Sequence, residues 1–266
     1  MTLDRLLITG AAGGLGRLAR ARLGGLARAR RLSDLAAMEP AGPGEEVVRC
    51  DLADAAAVAR LVEGCDAVLH LGGKSTEGPW AEILSANIAG TYNLYEAARR
   101  AGVRRILFAS SNHAIGFHAR ETRLDAAAPL RPDSLYGVSK CFGEALARYY
   151  FDKFGLESAI VRIGSCFPEP RDHRMLATWL SPDDFVALVE RVFTVARLGC
   201  PVIYGASANA ESWWDNRDVA YLGWRPQDDA EGFRAALDAK GPPPWADDPA
   251  VRWQGGGFAA AGHFED

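Results

Sequence analysis

Short apolar segments alternate with longer segments of helical periodicity along most of the chain. The apolar segments have the length of strands and are predicted at residues 6–9, 31–34, 47–50, 67–71, 106–110 and 158–163. The longer segments are predicted as helices at residues 14–27, 55–62, 81–101 and 135–154. Strands that alternate with helices in this way form β-α-β units with parallel strands.

The alternation predicts an α/β fold in which a parallel sheet carries helices on both faces. Ligands of such sheets bind beyond the carboxyl ends of the strands, so functional residues are expected directly after strand ends. After Ile163 the pattern loosens, and a helix is predicted only around residues 182–195. The triple proline at 242–244 and the triple glycine at 255–257 indicate a loop-like tail.

The first predicted strand ends in a glycine-rich turn that opens a helix. Glycine lets the backbone approach a pyrophosphate closely, and a helix N-terminus offers free N–H donors. The spacing of Gly10, Gly13 and Gly16 departs from the G-x-G-x-x-G form, and a simple turn is the alternative. Because a strand precedes the turn and a helix follows it, we expect dinucleotide binding by Gly10, Gly13, Gly14, Leu15 and Gly16.

A carboxylate at the end of the second predicted strand indicates which dinucleotide binds. Asp34 can accept hydrogen bonds from both ribose hydroxyls of an adenosine and would repel a 2′-phosphate. The residue therefore favours NAD over NADP, with an ordinary turn or N-cap aspartate as the alternative. Arg30 and Arg31 lie close by in the sequence and keep NADP open as a minority interpretation.

The ends of the third and fourth predicted strands carry further candidate cofactor contacts. Asp51, followed by Leu52, is placed to accept a hydrogen bond from an adenine amino group, and an N-cap of the next helix is the alternative. Leu71, Gly72 and Gly73 end the fourth strand, where small residues let a cofactor come close.

Tyr136 and Lys140 lie one turn apart on one face of a predicted helix. A nearby ammonium stabilises phenolate, so we expect it to lower the tyrosine pKa from its usual ~10 towards neutrality and to make Tyr136 a general base. A surface tyrosine beside a solvated lysine is the alternative. Ser111 strengthens the catalytic interpretation, because it follows the fifth strand, where a hydroxyl can hydrogen-bond a reacting oxygen.

The glycine turn, the aspartate and serine at strand ends and the Tyr136–Lys140 pair together resemble the extended short-chain dehydrogenase/reductase family, the NAD-dependent epimerase/dehydratase superfamily. A Leu-Gly-Trp-Arg-Pro string at 222–226 is similar to a late signature of that family. Longer strings resemble its uronate dehydrogenases, and they occupy residues 70–73, 110–113, 135–144, 161–166, 174–176, 205–209 and 213–216. The resemblance covers essentially the whole chain.

The resemblance implies a doubly wound Rossmann sheet, with residues 1–165 as an NAD-binding core and residues 166–266 as a small substrate-capping region packed on it. It implies oxidation of D-galacturonate or D-glucuronate at C1 to the aldarolactone, with hydride transfer to NAD. Tyr136 would act as the general base. Lys140 would support the phenolate and hold the nicotinamide ribose, and Ser111 would hydrogen-bond the C1 oxygen.

The same resemblance implies a substrate site. Arg174 would hold the substrate carboxylate, which a planar guanidinium can bind bidentately, with a surface arginine as the alternative. For His113, a loop residue that only supports Asn112 is the alternative. The implied substrate contacts are Ser75, Ser111, Asn112, His113, Ser165 and Arg174. Beyond the residues named above, the implied cofactor contacts include Tyr136, Lys140, Leu35 and Cys166.

Composition narrows the class of protein further. The formal net charge of −4 over 266 residues makes nucleic acid and anionic membranes poor partners. The chain shows no apolar run near the ~18 residues that span a bilayer, and no signal-peptide pattern. Five scattered cysteines indicate reduced thiols in the cytoplasm, and without CxxC or HExxH motifs we expect no metal. Large side chains on the helices at 81–101 and 135–154, which often pair subunits in this family, suggest a homo-oligomer, with simple packing on the sheet as the alternative.

Two other functions compete with the dehydrogenase. A nucleotide-sugar epimerase or dehydratase of the same superfamily would keep its NAD bound, but the segment after Lys140 is short for enclosing a nucleotide diphosphate. A non-catalytic NAD-binding sensor is the third reading. It fits less well, because a sensor has no use for a phenolate base.

Overall fold

The computed structural model describes residues 3–241, 245 and 247–264. Its central sheet has seven strands, which are β1 (Leu3–Thr9), β2 (Ala27–Asp34), β3 (Glu45–Arg49), β4 (Ala67–His70), β5 (Arg105–Ser111), β6 (Glu157–Ile163) and β9 (Val202–Gly205). Their order is β3-β2-β1-β4-β5-β6-β9, and every neighbouring pair is parallel. Two short strands, β7 (Ser165–Cys166) and β8 (Trp179–Leu180), pair separately. The parallel sheet that the alternating pattern predicts is confirmed.

Helices cover both faces of this sheet. The longer ones are α1 (Gly14–Arg22), α2 (Ala55–Val62), α4 (Gly90–Arg100), α5 (Leu135–Phe154) and α7 (Pro182–Thr194). In β1, Leu6 and Ile8 pack in a core with α1 and α7, whereas Leu7 packs in a second core with α2, α4 and α5. The shorter helices are α3 (Trp80–Ile83), α6 (Met175–Thr178), α8 (Arg234–Asp238), α9 (Pro249–Arg252) and α10 (Gly257–Ala260). The fold is therefore doubly wound, as expected.

The boundary between α1 and β2 differs from the prediction. The helix ends at Arg22 rather than at residue 27, because Gly24 and Gly25 follow and glycine is a poor helix former. The strand then begins at Ala27, before the predicted range 31–34. Its arginines obscured the apolar signal of a strand, and Arg30 instead lies against Glu45 of the neighbouring strand at 2.8 Å.

Two other elements were not expected. The helical segment from Trp80 to Arg100 contains a π-helical stretch, Leu84–Ala89, a feature that often marks functional sites. The four-residue strand β9 pairs with β6 at the edge of the sheet, and its shortness together with the preceding Pro201 hid it from the pattern. Strand β9 and helix α7 both come from the C-terminal part of the chain, so that part contributes to the sheet and its core.

The carboxyl ends of the strands define one edge of the sheet. The loops that follow β1, β2, β4, β5 and β6 all leave from this edge. The predicted tail at 255–257 is a turn that leads into α10, and the proline run at 242–244 lies outside the described residues. Among the helices described, none is both long enough and apolar enough to cross a membrane.

Candidate active site

The glycine turn after β1 is built for close backbone contact. Gly10 has a φ of 71°, and a Cβ there would lie 2.6 Å from the carbonyl carbon of Leu71. A Cβ on Gly16 would collide with the carbonyl oxygen of Gly10. Gly13 is the N-cap of α1 and no side chain caps this helix, so the first-turn N–H groups stay available to an anion. The turn fits the pyrophosphate of a dinucleotide.

Asp34 closes the same turn from the end of β2. Its Oδ2 accepts a hydrogen bond from the Ala12 amide at 2.9 Å, and its Oδ1 accepts one from the Ala36 amide at 3.0 Å. Asp34 therefore does stabilise a turn, which was the alternative to ribose binding, and its carboxylate also lies directly beside the glycine turn. Arg30 and Arg31 are occupied elsewhere, since their guanidinium groups lie 2.8 Å from Glu45 and Glu46. That pairing removes the main argument for NADP.

The next strand ends complete the candidate cofactor edge. Asp51 does not cap α2; it accepts a hydrogen bond from the Ala53 amide at 2.9 Å, and Asp54 is the N-cap of the helix. The N-cap alternative for Asp51 is therefore wrong. At the end of β4, a Cβ on Gly72 would lie 2.8 Å from Cδ1 of the buried Leu52, which shows how little room the loop leaves.

A buried histidine, which the sequence analysis did not single out, ties two of these strand ends together. His70 Nδ1 lies 2.8 Å from the hydroxyl of Thr9, and that hydroxyl accepts a hydrogen bond from the Gly72 amide at 3.2 Å. Burial lowers the pKa of His70 to about 3, with a smaller contribution from the Lys140 charge, so the ring is neutral at pH 7. The histidine is a structural link between β1 and the loop after β4.

The structure brings together the three residues predicted to be catalytic. Tyr136 is buried on α5, the Ser111 hydroxyl lies near enough to its phenol to lower the pKa of Tyr136, and Lys140 Nζ lies 5.4 Å from the centre of its ring. Lys140 donates a hydrogen bond to the carbonyl oxygen of Ala109 at 2.8 Å. The surface alternatives for the tyrosine and the lysine are therefore wrong.

The pKa shifts of this pair differ from the expectation. Burial raises the pKa of Tyr136 to about 12, although the nearby Ser111 hydroxyl opposes the shift. Burial lowers the pKa of Lys140 to about 8, opposed by the charge of Glu144. Desolvation disfavours the charged form of each residue, so the proximity of Lys140 does not by itself bring the pKa of the Tyr136 phenol towards neutral pH.

The N-terminus of α5 is held by a carboxylate that the sequence analysis missed. Glu77, in the loop after β4, accepts hydrogen bonds from the amides of Leu135 and Tyr136 at 3.0 and 2.7 Å. Ser134 caps the same turn by accepting a hydrogen bond from the Gly137 amide. A carboxylate at a helix N-terminus is favourable, but nothing in the local sequence links residues so far apart along the chain.

A second missed residue lies in the π-helical stretch. Asn87 is buried, accepts a hydrogen bond from the Lys74 amide at 2.7 Å and donates to the Lys74 carbonyl at 3.0 Å. Its amide also donates to Ser139 Oγ at 2.9 Å. Asn87 therefore fixes the loop that carries Ser75 against the helix that carries Tyr136.

The predicted substrate residues after β5 lie beside Tyr136. The His113 ring packs edge-on to the Tyr136 ring, with centroids 5.8 Å apart, and its Nδ1 lies 2.8 Å from Oδ2 of the buried Asp133. Asn112 donates to the Ile163 carbonyl at 3.2 Å and accepts from Nη2 of Arg174 at 2.6 Å. Arg174 is thus a half-buried member of this cluster, and the surface alternative for it is wrong.

The C-terminal segment completes the cluster, which the loop-like prediction for 255–257 did not anticipate. The Phe258 ring stacks on His113 with centroids 4.0 Å apart. The carbonyl oxygen of Gln254 accepts hydrogen bonds from Nε and Nη2 of Arg174 at 2.9 and 2.6 Å. The triple glycine was the available signal: a Cβ on Gly256 would lie 2.7 Å from Cδ of Arg174, so this backbone needs glycine to come so close.

Four predicted site residues lie at the edge of this arrangement. Ser165 is buried in β7, and its hydroxyl lies 3.1 Å from that of Thr178. Cys166 follows it, half-buried, and burial raises the pKa of its thiol to about 12. Ser75 is exposed in the loop that Asn87 holds, and Leu35 is 52% exposed after β2. No described contact joins these four directly to the Tyr136 cluster, although the hydroxyl of Thr178 also donates to the Arg174 carbonyl at 3.4 Å and so links Ser165 to it indirectly.

The sequence matches the NAD dependent epimerase/dehydratase family over residues 6–182. It is 57% identical to the uronate dehydrogenase of Pseudomonas putida over 98% of this chain and 97% of that protein.

Two solved structures are similar to nearly the whole chain. The glucuronic acid dehydrogenase of Chromohalobacter salexigens shares 58% identity and a TM-score of 0.98, with all of both chains covered. A mutant uronate dehydrogenase from Agrobacterium tumefaciens, complexed with NAD, shares 58% identity and a TM-score of 0.95, with 97% of this chain and 98% of that chain covered.

Proposed function

The chain belongs to the NAD dependent epimerase/dehydratase family, and we propose that it oxidises C1 of D-galacturonate or D-glucuronate to the aldarolactone, with NAD as hydride acceptor. Its high identity to uronate dehydrogenases over nearly the whole chain supports this activity. The structural observation that carries the proposal is a guanidinium without a direct ion pair in the same cluster of residues as a buried phenol; the charges of Asp172 and Asp133 act on it only from beyond ion-pair distance. In the described ranges Arg174 forms no ion pair, and its hydrogen bonds go to neutral oxygens of Gln254 and Asn112.

A carboxylate is the ligand that this arrangement lacks. Burial lowers the pKa of Arg174, which reflects the cost of keeping the cation in a poorly solvated position. Nε and Nη2 are occupied by protein oxygens, whereas no hydrogen bond in the described part of the chain engages Nη1. We therefore assign the Nη1 side of the guanidinium to the substrate carboxylate. This replaces the fully bidentate pairing expected from the sequence.

The residues present fit NAD. The uncapped N-terminus of α1 and the turn around Gly13 would hold the pyrophosphate, and Asp34 would accept hydrogen bonds from the adenosine ribose. Asp51 and the loop at Gly72 would face the remaining parts of the dinucleotide. When bound, NAD supplies the acceptor for the hydride that leaves C1, and its positively charged ring favours an anion nearby.

Tyr136 is assigned as the base that takes the proton of the C1 hydroxyl. Its phenolate is disfavoured by burial alone, so the base depends on positive charge close to the ring. Lys140 provides one such charge, held in place by the Ala109 carbonyl. The Ser111 hydroxyl lies near the phenol and lowers its pKa, and we assign this hydroxyl a hydrogen bond with the C1 oxygen.

The remaining polar groups would hold the sugar ring. Asn112 and His113 lie between the phenol and the guanidinium, and their orientations are fixed by Ile163 and Asp133. We assign them to sugar hydroxyls, together with Ser75 and Ser165. The oxidation to a lactone would balance as the loss of a hydride from C1, for which NAD would be the acceptor, and of a proton from the C1 hydroxyl, which Tyr136 would take as phenolate.

Three broader assignments belong to the same proposal. Residues 1–165 hold the NAD, residues 166–266 add β9 and α7 to the same sheet and core, and this C-terminal region also supplies the substrate side through Arg174 and Gln254. The enzyme is a homo-oligomer whose subunits pair through α4 and α5, which expose Tyr92, Tyr149 and Phe154. It works in the cytoplasm, which agrees with five free cysteines.

One assay separates the candidate functions. The purified protein is mixed with NAD and galacturonate or glucuronate, and the absorbance of NADH is followed. Sustained NADH formation supports the dehydrogenase. Conversion of a UDP-sugar without net NADH would instead indicate an epimerase or dehydratase, and NAD binding with neither reaction would indicate a sensor.

A further inference from the structure

The guanidinium of Arg174 is held by a backbone carbonyl that is itself unusually well fixed. Gln254 is completely buried, and its Oε1 accepts a hydrogen bond from the Trp214 indole at 2.9 Å. Its Nε2 donates to the carbonyl oxygens of Thr122 and Ala119 at 2.8 and 3.2 Å. Both ends of the side-chain amide are therefore anchored on segments far away in the sequence.

The backbone of Gln254 is fixed as well. Its amide donates to the His118 carbonyl at 3.0 Å, and the next amide, of Gly255, donates to the Gly116 carbonyl at 2.9 Å. The carbonyl oxygen between these two amides accepts from Nε and Nη2 of Arg174. Rotation of this carbonyl would require the loss of several buried hydrogen bonds, each of which is costly to leave unmade.

We propose that Gln254 is a positioning residue that sets the carboxylate specificity of the site by orienting Arg174. The inference rests on the proposed function, because it assigns Arg174 to a uronate carboxylate. By filling the Nε face of the guanidinium with a neutral oxygen, Gln254 leaves Arg174 without a direct ion pair in the described residues, since the charges of Asp172 and Asp133 act on it only from beyond ion-pair distance, and it leaves Nη1 to a ligand. If an acidic side chain occupied the place of the Gln254 carbonyl, it would neutralise Arg174 and remove the need for an anionic substrate.

The segment from Gln254 to Phe258 also contacts other residues that are assigned to the substrate. Phe258, four residues further on, stacks on His113, and a Cβ on Gly255 would collide with Asp133, the partner of that histidine. The segment therefore contacts Arg174 and His113, which are assigned to the substrate, and its Phe258 ring also packs edge-on to Tyr136 with centroids 6.2 Å apart. Gln254 itself has no described contact with Tyr136, Lys140 or Ser111. A defect in Gln254 is expected to act on substrate affinity rather than on chemistry.

The test uses the full-length enzyme with Gln254→Ala and Gln254→Met, the second of which keeps the side-chain volume while removing its three hydrogen bonds. The expected result is a KM for glucuronate raised by about tenfold to a hundredfold, with kcat and the KM for NAD changed by less than about threefold. In an Arg174→Ala background, adding either substitution should reduce kcat/KM by no more than about twofold, because Gln254 acts through Arg174.

Asn209 provides the matched control. It is also buried, and its side chain bonds the carbonyls of Ala177 and Trp179 and the amide of Ala230, but it does not contact Arg174. Asn209→Ala should lower thermal stability without raising the KM for glucuronate. The inference is overturned if the Gln254 variants leave that KM unchanged, if they lower kcat and kcat/KM equally, or if their effect adds fully to that of Arg174→Ala. Failure of the unaltered enzyme to oxidise either uronate would overturn the proposed function, and this inference with it.

Discussion

The Glu77 carboxylate accepts a hydrogen bond from the backbone amide of Tyr136 at 2.7 Å, so a loop at the end of β4 holds the residue assigned as the catalytic base. A second hydrogen bond, from the amide of Leu135, makes the contact bidentate. The loop that carries the predicted sugar contact Ser75 and the helix that carries the phenol are thereby one unit. The position of Tyr136 in the site depends on this long-range contact and on the N-cap that Ser134 provides for α5.

Glu77→Ala should lower kcat about tenfold, because the first turn of α5 loses two charge-assisted hydrogen bonds and Tyr136 loses its fixed position. The KM for NAD should change little. Glu82→Ala is the control: this carboxylate pairs with the half-exposed ammonium of Lys74 at 2.6 Å, and a surface pair contributes about 0–1 kcal/mol. Equal kcat losses in the two variants would argue against a positioning role for Glu77.

Cofactor choice should depend on Asp34. Asp34→Asn removes the negative charge beside the glycine turn, so the ratio of kcat/KM for NAD to that for NADP should fall by about tenfold or more. Asp51→Asn is the matched variant, because Asp51 also follows a strand and accepts a hydrogen bond from the amide two residues on. That variant should leave the NAD-to-NADP ratio unchanged, and a large shift of the ratio in Asp51→Asn would contradict the assignment.

The glycine turn should tolerate substitution at one position and not at another. Gly16→Ala places a Cβ against the backbone of Gly10 and Ala11 and should cost about 1–3 kcal/mol of stability while weakening NAD binding. Gly14→Ala meets no atom within 4 Å and should not lower stability. Urea unfolding without cofactor and titration with NAD measure the two effects. Equal unfolding free energies for both variants would show that a Cβ at residue 16 does not collide with the backbone of Gly10 and Ala11.

Burial of Lys140 should give the stability of the enzyme a recognisable pH dependence. The folded pKa of about 8 lies below the ordinary 10.5, so between these values the unfolded chain binds more protons and stability rises with pH. Relative to Lys140→Met, the unaltered enzyme should gain about 2 kcal/mol in unfolding free energy between pH 7 and pH 10. Buried Tyr136, with a raised pKa, should oppose the gain only above pH 10. Parallel pH profiles for the two proteins would place Lys140 in contact with solvent.

Much of the fold followed from the sequence because a parallel sheet buried on both faces needs continuous apolar strands. Leu6, Leu7 and Ile8 show this, since neighbouring side chains enter opposite cores. Strand β2 was underestimated because its arginines are satisfied by glutamates of the adjacent strand, a pairing that only tertiary structure reveals. Strand β9 was missed because four residues after a proline carry too little pattern.

Some residues of the candidate site could likewise be predicted from the sequence, and others could not. Residues placed by local geometry, such as Tyr136 and Lys140 at one helical turn, could be predicted from spacing. Glu77, Asn87 and Gln254 could not, because each acts through contacts with distant segments and none belongs to a local motif. The pKa of Tyr136 was expected to fall and instead rises, since burial of the ring is a property of the packed structure.

The central claim is that a buried phenol removes the proton from the anomeric hydroxyl of a uronate while hydride passes to NAD. The most direct test is the rate of NADH formation from glucuronate by Tyr136→Phe, measured beside the Kd for NAD and the Kd for glucuronate. We predict that kcat falls by about a hundredfold to ten-thousandfold, the range for loss of a general base, with both Kd values nearly unchanged. A Tyr136→Phe enzyme that keeps the kcat of the unaltered protein would contradict the account.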